Sequence, residues 1–142
     1  MRDRHPLQVV ALASGALFLV VGVLGFVPGV TTDYSELEFV GHESDALLLG
    51  IFRVSILHNI VHLLFGVFGI LAARSVRDSR NFLIGGGVVY LVLTVYGLAI
   101  DHGSEANFVP INSADNWLHL VLAIGMIGAG IALGRTRARV TT

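Results

Sequence analysis

The sequence predicts an all-α fold, an integral membrane four-helix bundle built from two related helix pairs, with residues 1–142 as a single membrane domain. Three observations predict it. The chain has four long apolar runs, its arginines sort to one side of those runs, and part of the second run recurs without gaps at the entry to the fourth. Composition agrees, at 54% hydrophobic and 13% charged residues, against roughly 45–50% and about 25% in soluble domains.

The expected helices span about 7–27, 47–73, 82–100 and 116–134. About 20 apolar residues cross a bilayer, whereas runs of 10–14 usually do not. The first run follows the basic segment Met1–His5 and outlasts a signal-peptide core, normally 7–15 residues. It ends in the turn signal Gly25-Phe26-Val27-Pro28-Gly29, so it is read as a retained helix. A polar loop over 28–46 carries Asp33, Glu36, Glu38, Glu43 and Asp45. The second run holds Arg53, Ser55, His58, Asn59 and His62 in its first half. Gly85, Gly86 and Gly87 are expected near the start of the third helix, and the loop Asp101–Ala114 leads to the fourth.

With four spans, Arg2, Arg4, Arg74, Arg77, Arg80, Arg135, Arg137 and Arg139 fall on one side. Short arginine-rich segments stay in the cytoplasm. The expectation is a multi-pass protein of the cytoplasmic (inner) membrane with both termini cytoplasmic. Arg53 alone breaks the sorting, near the outer end of helix two, where it can snorkel to the interface.

The repeat aligns Ile51–Leu63 with Phe108–Leu120, so that Asn59 meets Asn116, His62 meets His119, and His58 meets Asp115. Two helix pairs related by an axis along the membrane normal are the expected architecture. The 17 glycines suit close helix packing in lipid, within the chain or against an identical subunit.

Those motifs carry a resemblance. Gly25–Gly29, His58-Asn59-Ile60-Val61-His62-Leu63 and Pro110–Leu120 resemble the bacterial membrane family catalogued as domain of unknown function 4383, over about residues 7–134. The resemblance implies four helices and an inner-membrane location, and no activity. The family pattern has Pro and Asn where this chain has Arg53 and Ser55, so the Arg53 neighbourhood transfers least.

Ionisable groups inside a membrane are costly and mark sites worth naming. His58 and His62 share a helix face, as Asp115 and His119 do, being four apart. Three readings stay open. His58, His62, His119 and Asp115 suit a divalent metal such as zinc or iron. His62 and His119 alone suit the axial positions of a haem, or a quinone-like ligand. Asn59, Asn116, His62 and His119 suit polar packing across helices, with Arg53 as a further structural polar residue. A proton or solute path is the remaining alternative. His5, His42 and His102 are expected to be solvated, and Trp117 and Tyr34 to sit in an aromatic belt.

There is no cysteine, hence no disulfide and no thiolate chemistry. No nucleophile–base pair, P-loop lysine or nucleic-acid patch is recognisable. The functional expectation is an accessory or interaction bundle with an intramembrane His/Asn cluster in the outer half, and no catalytic residue. Its partners are the lipid bilayer and a second copy or a larger membrane complex. A metal- or haem-binding membrane protein and a small oligomeric transporter are the alternatives.

Overall fold

The computed structural model describes residues 4–135, so Arg2, Arg137 and Arg139 lie outside the described residues. Four helices carry the chain: α1 (Pro6–Leu24), α2 (Ile56–Ala72), α3 (Val76–Ala99) and α4 (Ser113–Arg135). Helix α1 starts where Pro6 presets the first turn and His5 caps it. His5 Nδ1 accepts from the Leu7 amide, and Gln8 returns a side-chain acceptor to the His5 amide. Helix α3 starts at Ser75, whose hydroxyl oxygen accepts from the Asp78 amide.

Three helices, α1, α3 and α4, are long and apolar enough to cross a membrane, and α2 is a shorter apolar helix of 17 residues. The packing is that of a membrane bundle. The outside is greasy, with Leu98 72% and Val121 65% exposed, while much of the inside is small or polar. Helix α1 lies along α2, and α3 along α4; the pairs meet chiefly where α1 crosses α3, leaving α2 and α4 diagonal. A Cβ on Gly15 would stand 2.8 Å from the Gly66 carbonyl oxygen and the Ile70 amide nitrogen. A Cβ on Gly87 would stand 3.0 Å from the Ile127 amide nitrogen. Each pair therefore touches at backbone distance.

The buried positions keep a fixed spacing. Leu7, Ala11, Gly15, Phe18 and Gly22 are buried on α1, and Ser79, Leu83, Gly87, Tyr90 and Thr94, each 72 positions later, on α3. Asn59, Gly66 and Gly69 are buried on α2, and Asn116, Ala123 and Met126, each 57 positions later, on α4.

The second helix begins later than its apolar run. Residues 47–55 leave the helix to build a three-stranded antiparallel sheet of β1 (Thr31–Thr32), β2 (Leu47–Leu48) and β3 (Phe52–Arg53). The reversal between β2 and β3 needs left-handed backbone at Leu49 (φ 56°) and Gly50 (φ 69°), which no helix admits. Ser55 then caps α2 by accepting from the His58 amide. Arg53 is consequently a strand residue paired with Asp45 at 3.0 Å, not a snorkelling helix residue. At the other end the turn Ala73–Ser75 is so tight that Arg77 and Arg80 belong to α3, and Gly85–Gly87 fall within that helix rather than at its start.

The two large loops share one end of the bundle and clasp each other. The Gly41 amide donates to the Phe108 carbonyl at 2.9 Å, and Asn112 Nδ2 to the Ile51 carbonyl at 2.9 Å. At the opposite end Leu7, Ala73, Val76, Leu83 and Leu133 pack in one core, beside Arg74, Arg77, Arg80 and Arg135.

Gly15→Ala is expected to destabilise the bundle by about 1–3 kcal/mol, because the new methyl meets the α2 backbone at Gly66, Gly69 and Ile70. Gly125→Ala, where a Cβ meets nothing within 4 Å, is expected to be neutral. Thermal unfolding in detergent, with both variants beside the parent, measures the contrast.

Candidate functional site

The polar residues of the repeat sit at the starts of α2 and α4, at the end of the bundle that carries the two large loops. Asn112 and Asp115 form a reciprocal cap: Asn112 Oδ1 accepts from the Asp115 amide, and Asp115 Oδ2 accepts from the Asn112 amide, both at 2.9 Å. The same Oδ2 accepts from the Arg53 amide at 3.1 Å, tying β3 to α4. Asp115 is thus turned to backbone amides at the helix start. The expected four-residue metal set is not assembled: among the described residues no group of three or more His, Asp or Glu could hold a metal ion.

Asn59 and Asn116 are 0% and 6% exposed. Each lies over a glycine at the end of the preceding helix. A Cβ on Gly25 would collide with the Asn59 amide, and one on Gly97 with the Asn116 amide. The asparagines therefore pack within their own helix pairs, not on each other. Asn59 Oδ1 lies 3.3 Å from His58 Nδ1, while Asn59 Nδ2 and Asn116 Oδ1 are buried without partners.

His58, beside Asn59, and His62, one turn deeper, have ring centroids 4.1 Å apart and planes tilted by 37°. His62 Nδ1 is 3.0 Å from the His58 carbonyl. A carbonyl only accepts, so this nitrogen carries the proton and Nε2 is bare. The Tyr90 hydroxyl, 3.4 Å from Nε2, is then the donor. Tyr90 also packs on His119 at a centroid distance of 5.2 Å, so it meets one histidine with its hydroxyl and the other with its ring. Both His62 nitrogens thus have partners within the protein.

These groups line one cleft of about 260 Å³ between α2 and α3. Its walls are mostly apolar, Phe65, Val61, Val89 and Leu93 among them, and Val40 and Phe108–Pro110 roof it. The polar residues in its lining are His58, His62, Tyr90, His119 and Ser55. His119 closes the back, 5% exposed, with Nδ1 buried and unpartnered.

The repeat singled out the histidines but not Tyr90 or Phe18. A tyrosine inside an apolar run, 72 positions after an aromatic residue on the equivalent helix, was the available signal. His102 also differs from expectation, being half-buried with Nε2 2.7 Å from the Gly97 carbonyl. His5 caps α1 rather than lying free in solvent.

Tyr90→Phe removes the donor to His62 and should cost about 1 kcal/mol. Asp115→Ala should cost about 1–2 kcal/mol, through the lost cap and the unpaired Arg53 amide. It should also expose the Arg53 loop to trypsin, whereas Tyr90→Phe should not. Thermal melts with limited proteolysis separate the two effects.

The sequence comparisons agree with this bundle. The family model described as Domain of unknown function (DUF4383) matches residues 8–132. Neither a curated protein nor a solved structure matches the chain. With its match running through all four helices, the chain belongs to the DUF4383 family.

Proposed function

We propose that the chain is a membrane-embedded binding protein, a non-catalytic accessory bundle whose working part is the cleft between α2 and α3. The carrying observation is the cleft itself, apolar along its walls and polar where His58, His62, Tyr90 and His119 gather. Pockets for small molecules commonly combine apolar lining with a few convergent polar groups. A lipophilic molecule with one hydrogen-bonding end fits that distribution. The histidine cluster serves binding here, in place of the metal and haem readings.

In the same proposal the two helix pairs are copies of one ancestral pair, supported by the 72- and 57-residue spacings of their buried positions. The membrane is the cytoplasmic one, with the loop ends outward and the arginine end inward, following the charge asymmetry. The cleft then opens in the outer half of the bilayer.

Protein purified in mild detergent should release a near-stoichiometric apolar molecule on solvent extraction. Val61→Trp, which fills the cleft wall, should abolish it. Equal recovery from both proteins, or a Soret band in the parent spectrum, would overturn the binding reading. For orientation, a reporter fused after Thr142 should be active only in its cytoplasmic form, and a periplasmically active fusion would reverse the topology.

A further inference from the structure

The two helix pairs differ by a single hydroxyl at their centre. Phe18 and Tyr90, 72 positions apart, stack with ring centroids 5.7 Å apart. Each also packs on the histidine of its own pair: Phe18 on His62 at 5.9 Å, and Tyr90 on His119 at 5.2 Å. The Tyr90 hydroxyl crosses to the other pair and serves His62. Phe18 has no hydroxyl with which to return that bond to His119 Nε2, and His119 Nδ1 is, separately, buried without a partner. The broken equivalence leaves one imidazole in the cleft that the protein does not satisfy.

We propose that His119 anchors the ligand of this cleft, and that the ligand is a planar lipophilic ring bearing a carbonyl oxygen. This rests on the cleft being a ligand site. Buried N–H groups without acceptors are rarer than buried acceptors without donors. The His119 proton accordingly belongs on Nε2, with the sealed Nδ1 left bare. Nε2–H then donates into the cleft, and its partner must be an acceptor. His62 cannot take this role, since its Nδ1–H is given to the His58 carbonyl and its Nε2 is occupied by Tyr90.

The walls favour a flat molecule. Phe65, Tyr90 and Phe108 present aromatic surface to the cleft, and aromatic rings pack best on other rings. An apolar cavity of roughly 150 Å³ takes benzene, so a cleft of about 260 Å³ holds one substituted ring. A longer tail has to remain in the lipid. Carbonyl acceptors on apolar bodies have two membrane sources, a quinone ring and the ester of an acyl lipid. The aromatic walls select the ring.

The test uses the full chain in lipid nanodiscs and three probes: a decyl-substituted benzoquinone, decylbenzene, and a monoacylglycerol of matched chain. The benzoquinone should bind saturably, shift the ¹⁵N resonances of His119, and bind about tenfold tighter than decylbenzene. His119→Phe should bring the two affinities together. Phe18→Tyr, which offers a hydroxyl oxygen able to accept from His119 Nε2–H in the ligand's place, should weaken benzoquinone binding severalfold. The probe comparison on the parent protein stands without either variant. Equal affinities there would overturn the carbonyl anchor while leaving the cleft a ligand site. Tighter binding of the monoacylglycerol would overturn the ring. Failure of every probe to bind saturably would overturn the cleft reading itself.

Discussion

Close approach of helix backbones in lipid is the constraint on which the rest depends. Lipid tails are as apolar as leucine, so there is no solvent to expel and little reason for apolar helices to associate except contact itself. Gly15 against Gly66 and Gly69, and Gly87 against Ala123 and Ile127, bring two helices together at distances a side chain would prevent. Once each pair is that tight, the space over Gly25 and Gly97 has room for one amide and little more. Asn59 and Asn116 fill it.

Polar groups in such an interior have only the protein to bond with, and their satisfaction is uneven. His62 is fully engaged, Asp115 accepts two backbone amides, and Ser44 donates to the Val54 carbonyl at 2.7 Å. Asn59 Nδ2, Asn116 Oδ1 and His119 Nδ1 are not engaged. The asparagine atoms sit in tight helix contacts, where packing holds them. The His119 ring lines the cleft between α2 and α3, Asn116 borders a separate pocket between α3 and α4, and Asn59 borders neither.

The helices were legible because length and hydropathy set them, and the arginine end was legible from its clustering. The late start of α2 was not. Leu47, Leu48, Ile51 and Phe52 read as helix by composition, and only the strand pairings with Thr31 and Thr32 and the left-handed Leu49–Gly50 step overrule it. The histidines were found through the Asn-x-x-His-Leu repeat, and the nearness of Asp115 to the loop already allowed the capping role that it takes in place of metal ligation. Spacing of four along a helix gives a common face and says nothing of depth or of what stands between two helices. Here Tyr90 contributes from a third helix that the aligned segments do not include.

The seam between α2 and α3 is fastened at both extremities. The turn Ala73–Ser75 joins the helices directly at one end, and the Gly41–Phe108 and Ile51–Asn112 bonds draw the overlying loops together at the other. Between these fastenings the helices part, which makes the opening a side window rather than a bore. In the proposed binding role, traffic through it would run in the plane of the bilayer, and a guest would be gauged by its cross-section, not by its length.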